Sequence, residues 1–127
     1  MTDVAYPATV ATVLVVEDDA VLRSLATEVF EMEGYAVLSF DTADAAWAWL
    51  EQDPPPPDLL FTDVRMPGQL DGLALAKQVR QRFAQLPILV SSGYTGQQYT
   101  EREARALFLP KPWSIDQLLA ACSKLGL

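Results

Sequence analysis

Histidine is absent from the 127 residues. Its absence removes the commonest general base, the commonest zinc ligand and the imidazole of serine and cysteine triads, so any chemistry must rest on carboxylates, hydroxyls and amines. The one cysteine, Cys122, has no partner for an intrachain disulfide and lies in an apolar helical pattern, which predicts a buried thiol with no functional role. Basic residues are few and scattered: nine Lys and Arg against 17 Asp and Glu give a net charge of −8. The electrostatic footprint of a nucleic-acid binder is missing, and direct DNA or RNA binding is not expected. No apolar run approaches the roughly 20 residues that a membrane span needs. The opening MTDVAYPATVAT has neither the basic region nor the apolar stretch of a signal peptide. A cytoplasmic chain away from the membrane is expected.

What is present suits one domain: half the residues are apolar, enough for a single core in a chain of this length. Residues 1–11 read as a polar, Pro-containing lead-in and 12–127 as the domain. Thr12–Val16 is a β-branched run that stops at Glu17-Asp18-Asp19, and a helix with Val21, Leu22, Leu25, Val29 and Met32 runs from Ala20 to Gly34. Continuous apolar runs fit strands covered on both faces. Ala36–Phe40 is the second strand; Asp41 or Thr42 caps a helix with Ala45, Ala46, Trp49 and Leu50, which DPPPPD (53–58) ends. Trp47 and Trp49 face different sides of that helix, so at most one should be well buried. The third unit is strand 59–62, a loop through Gly68 and Asp71-Gly72, and a helix with Leu73, Leu75, Ala76 and Val79. The fourth is strand 87–91 and a short polar helix near 97–106. The fifth is strand 107–109, PKPWS, and a closing helix with Ile115, Leu118, Leu119 and Leu125. Five successive βα units imply an α/β fold with a parallel sheet and helices on both faces.

In such sheets the ligand site lies beyond the carboxyl ends of the strands, where the strand order reverses. Glu17 and Asp18 follow strand one, Asp63 strand three, Ser91 and Ser92 strand four, and Lys111 strand five, so all belong at one end. Three crowded carboxylates repel one another unless a cation is bound. An all-oxygen donor set points to a hard divalent ion, Mg²⁺ or Mn²⁺. Asp63 could then attack a phosphoryl group as a nucleophile while Lys111 balances the developing charge.

The pieces VLVVEDD (13–19), TDVRMPG followed by DG (62–72), LPILVSSG (86–93) and LFLPKPW (107–113) resemble the receiver domain of two-component response regulators over roughly residues 12–125. The resemblance implies a doubly wound (βα)5 sheet of strand order 2-1-3-4-5, with Asp63 as phosphoacceptor and Glu17 and Asp18 as the acidic pair that holds Mg²⁺. It implies the backbone carbonyl of Arg65 as a further metal ligand, Ser92 as the switch hydroxyl and Lys111 as the partner lysine in a cis Lys111–Pro112 peptide. Phe108 is similar to the aromatic that turns inward on activation, Trp113 stands where the family often has phenylalanine, and Arg65 and Tyr94 fall at positions that tune loss of the phosphoryl group. The implied partners are a histidine kinase or histidine phosphotransfer protein and an unknown downstream protein. The expected role is a stand-alone signalling receiver or phosphate sink in a phosphorelay, not an enzyme.

Rival readings are a receiver fragment of a hybrid histidine kinase and a receiver-like adaptor that is never phosphorylated. A haloacid-dehalogenase-like phosphohydrolase would want a second Asp where Arg65 stands. A flavodoxin-like nucleotide binder would need a Gly, Ser or Thr loop where Glu17-Asp18-Asp19 would repel phosphate.

Overall fold

The computed structural model describes residues 10–65, 68–93 and 105–127. Strands β1 (Thr12–Val16), β2 (Ala36–Phe40), β3 (Leu59–Asp63), β4 (Ile88–Ser92) and β5 (Leu107–Pro110) form one parallel sheet in the expected order β2-β1-β3-β4-β5. The described helices are α1 (Ala20–Met32), α2 (Ala43–Leu50), α3 (Gly72–Arg82) and a C-terminal helix (Ile115–Lys124). None is long and apolar enough to cross a membrane. The helix expected near 97–106 lies outside the described residues, except for Arg105 and Ala106, which are not helical; Arg105 has a φ of 52°. The lead-in is likewise outside them as far as residue 9.

Strand limits move by a residue for backbone reasons. Pro87 has no N–H to give the ladder, so β4 starts at Ile88, although the Pro87 carbonyl still accepts from Leu60 N at 3.0 Å. Asp63 pairs with Ser91, and Ser92 with Pro110, so Asp63, Ser91 and Ser92 end their strands instead of following them. Helix starts are set by side-chain caps that satisfy the first backbone N–H groups. Asp19 accepts from Val21 N and Leu22 N, Thr42 from Ala45 N, and Asp71 from Ala74 N, while Ser114 and Gln117 form a capping box. Asp19 is thus spent on helix α1, and Thr42, not Asp41, caps α2.

Alternation along each strand divides the core into two layers. Leu14, Val16, Leu60, Ile88 and Val90 pack with α2 and α3. Val13, Val15, Leu59, Phe61 and Leu89 pack with α1 and the C-terminal helix. Burying side chains of this size stabilises by about 2 kcal/mol each, and Phe61 also meets Phe30 and Trp113 edge-on at 5.8 and 5.9 Å between ring centroids. Trp47 and Trp49 are both half-buried against the first layer, and Trp49 lies 6.0 Å from the Phe40 ring. Neither is fully enclosed. Cys122 is buried as expected, and burial pushes its pKa up to about 11, which disfavours the reactive thiolate.

Candidate functional site

The strand order reverses between β1 and β3, so a crevice opens at their carboxyl ends. Glu17 leaves β1 as a buried residue, Asp18 beside it is exposed, and Asp63 closes β3 at 8% exposure. One oxygen from each of the three lies within 4.8 Å of the others. Lys111 reaches this cluster from the end of β5. Its ammonium lies 3.1 Å from Glu17 Oε1 and 3.1 Å from Asp63 Oδ2.

Both carboxylate oxygens of Asp63 are engaged, since Oδ1 accepts from Val64 N at 2.7 Å. The Asp63 carbonyl accepts from the Thr62 hydroxyl at 2.8 Å. Glu17 Oε2 accepts from Asp19 N at 3.1 Å. Arg23, from the first turns of α1, donates to the carbonyls of Glu17 at 2.8 Å and Asp18 at 3.4 Å. The acidic turn is therefore held from behind by a cation that does not touch its carboxylates.

The electrostatics follow from burial. Glu17 is pushed up to about 7, first by loss of solvent and further by the neighbouring charge of Asp63; the Asp19 N–H and Lys111 oppose the shift without cancelling it. Burial works against the charge on Lys111, but its hydrogen bonds to Asp63 and Glu17 win, and its pKa rises. A site with three acidic groups and one lysine has unmatched negative charge, and its donors are all oxygen. This set suits a hard divalent ion such as Mg²⁺ better than zinc or copper.

Arg65 is exposed in the loop two residues past Asp63, and Tyr94 lies outside the described residues. Ser92 is buried at the end of β4, and its carbonyl accepts from Lys111 N at 3.0 Å. The neighbouring hydroxyl, Ser91, accepts from the Trp113 indole at 2.9 Å, a bond of about 1 kcal/mol that ties the loop after β5 to β4. Phe108 is half-buried on β5, and alternation turns it away from Leu107 and Leu109, which pack in the α1 layer. Lys111–Pro112 is a cis peptide, as the resemblance implied.

Sequence reading did not single out Arg23, the Trp113–Ser91 bond or Asp44. Asp44 lies in the first turn of α2 and accepts from Gln69 N at 2.7 Å and Leu70 N at 2.8 Å in the loop after Asp63. Gly72 reads from sequence as the end of a loop, but it is the first residue of α3 and its position is strict: a Cβ there would collide with the carbonyl oxygen of Asp63.

Comparison with known proteins identifies the architecture. The family model described as the response regulator receiver domain matches residues 13–123. The chain is 32% identical over 111 residues to the DNA-binding transcriptional regulator NtrC of Salmonella typhimurium, covering 85% of this chain and 23% of that protein. It is 33% identical over 112 residues to the response regulator protein FleR of Pseudomonas aeruginosa, covering 86% of this chain and 23% of that protein. The chain thus spans about a quarter of the length of these relatives. The crystal structure of response regulator TrrA from Thermotoga maritima, in complex with Mg²⁺ and BeF, is similar with a TM-score of 0.78 at 25% identity, covering 91% of this chain and 98% of that one. With five parallel strands in this order and an acidic cluster at their carboxyl ends, the chain belongs to the response regulator receiver domain family.

Proposed function

We propose that this domain is a phosphorylation switch in which Asp63 accepts a phosphoryl group in a Mg²⁺-dependent reaction, and that it signals rather than turns over a substrate. The observation that carries the reading is the position of the Asp63 carboxylate, held between the Lys111 ammonium at 3.1 Å and an acidic pair whose oxygens lie within 4.8 Å of its own. Glu17, Asp18 and Asp63 would hold the ion, with the Arg65 carbonyl completing the protein ligands. When bound, the metal neutralises charge on the transferring phosphoryl group.

The chain's own residues do the rest. The Val64 N–H fixes the plane of the nucleophilic carboxylate, so little orientation is lost on reaction. An Asp63 oxygen forms a bond to phosphorus as the bond from phosphorus to the donor breaks, and the donor leaves with its electron pair. Lys111 balances the negative charge that develops. Ser92 then donates to a phosphoryl oxygen, drawing the end of β4 toward Asp63 and letting Phe108 turn inward, so that a local charge change biases a packing arrangement. A histidine kinase or phosphotransfer protein is the proposed donor, and a protein partner the proposed reader. The charge of −8 argues against direct DNA contact by this domain.

A beryllofluoride titration tests the reading. In the presence of Mg²⁺ it should give a saturable change in tryptophan fluorescence that is absent from Asp63→Asn. An equal response from that variant would remove Asp63 from its role.

Metal binding should also depend on pH. Glu17 holds its proton up to about pH 7 in the metal-free protein, and a ligand carboxylate must give that proton up. Mg²⁺ affinity should fall as pH drops below about 7, with proton release on binding, as calorimetry in buffers of different ionisation enthalpy would detect. Affinity that stays flat through this range would contradict the assignment of Glu17.

A further inference from the structure

We propose that Asp44 is a positioning residue for the phosphoacceptor site: it braces the loop after Asp63 against α2 and thereby sets how much Mg²⁺ the site demands. The inference rests on the receiver reading above, in which this loop carries a metal ligand at Arg65.

The loop leaves β3 at Asp63 and re-enters the fold at α3. Its base is closed by the bond from Gly72 N to Val64 O, at 2.7 Å. Its outer limb has a separate anchor. Asp44 Oδ2 accepts from Gln69 N at 2.7 Å and Oδ1 from Leu70 N at 2.8 Å, so the two oxygens take two successive backbone N–H groups. Hydrogen bonds to an ionised acceptor are stronger than neutral ones. Asp44 also stands in the first turn of α2, where the helix dipole favours a negative charge.

Gly68 gives independent support. It has a φ of 109°, a region other residues rarely adopt, and a Cβ there would overlap the Asp44 carboxylate. The loop therefore approaches Asp44 closely on a residue that allows it. A backbone carbonyl can serve as a metal ligand only if its loop is already aimed, because ordering the loop at the moment of binding subtracts from affinity. With the brace in place, the loop is tied at Val64–Gly72 and again at Gln69 and Leu70, and in sequence Arg65 falls between these ties. Without it, the Gln69 and Leu70 N–H groups lose their side-chain acceptor.

The test uses Asp44→Ala and Gly68→Ala, which break the same contact from opposite sides, together with Asp44→Asn, which keeps one acceptor oxygen. Amide hydrogen exchange at Gln69 and Leu70 should speed up in both alanine variants and take an intermediate value in Asp44→Asn. The midpoint of a Mg²⁺ titration by tryptophan fluorescence should rise several-fold. The accompanying deficit in the rate of modification by acetyl phosphate should vanish at saturating Mg²⁺, which a folding defect would not allow. Wild-type exchange at both amides and an unshifted Mg²⁺ midpoint in Asp44→Ala would overturn the proposal. If the wild-type protein showed no response to Mg²⁺ or acetyl phosphate, the receiver reading would fail, and the inference about Mg²⁺ demand with it. Failure of the brace alone would leave wild-type modification intact.

Discussion

Replacing Lys111 with Ala should slow phosphoryl transfer to Asp63 by about 100-fold, the usual cost of removing one preorganised electrostatic partner from a developing charge. The ammonium is the only group among the described residues shown to bridge Glu17 and Asp63, at 3.1 Å from each. Its side chain is 23% exposed, so solvent cannot fully replace it. Arg in its place keeps the charge but spreads it over a planar fork, and should recover only part of the rate. The same substitution should change stability in a pH-dependent way. Glu17 already titrates near 7 because it is buried, and losing Lys111 pushes it higher still. An acid whose folded pKa is raised gives stability that is present at low pH and is lost as pH rises through the folded value. Metal-free Lys111→Ala should therefore fall further below the wild type near about pH 8 than near about pH 5, where only the loss of its contact with Asp63 is felt. Initial rates of acetyl phosphate modification and urea unfolding at the two pH values would check both halves; a wild-type rate would show that the lysine has no part in transfer.

Replacing Gly72 with Ala should destabilise the domain by about 3 kcal/mol, at the upper end for overpacking, because the added carbon meets backbone and not a yielding side chain. The atoms in its way are the carbonyl of Asp63 and the α-carbon of Val64. Relief requires α3 to move off the end of β3 or the strand end to shift, and either movement displaces the Asp63 carboxylate. Urea denaturation should show the loss of stability, and the variant that remains folded should modify slowly even at saturating Mg²⁺. That last feature separates it from Asp44→Ala, whose deficit is expected to be repaired by metal. Wild-type stability in Gly72→Ala would mean that the backbone at this position relaxes freely.

The parts of this fold that could be read from sequence are those written locally. The runs at 12–16, 59–62 and 87–91 supply both buried layers, and a carboxylate at the end of such a run points to the crevice where strand order reverses. Strand-end position singles out Glu17, Asp18, Asp63 and Lys111, and the fold brings them together. Charged side chains whose partners are backbone groups were not legible. Asp44 is 25 residues from Gln69, and on its own it reads as an acidic residue in a first helical turn. Arg23 holds the carbonyls of the acidic turn. Arg80 is buried and donates to the carbonyls of Phe83, Ala84 and Arg105. In each case a charged side chain answers backbone groups whose location only the tertiary fold determines. Periodicity cannot report such contacts.

The most direct test of the central claim is the intact mass of the protein after incubation with acetyl phosphate, with and without Mg²⁺, for the wild type and Asp63→Asn. The account predicts one added phosphoryl group on the wild type, dependent on Mg²⁺ and absent from the variant. A phosphoryl group gained equally by Asp63→Asn, or gained without any divalent ion, would contradict it.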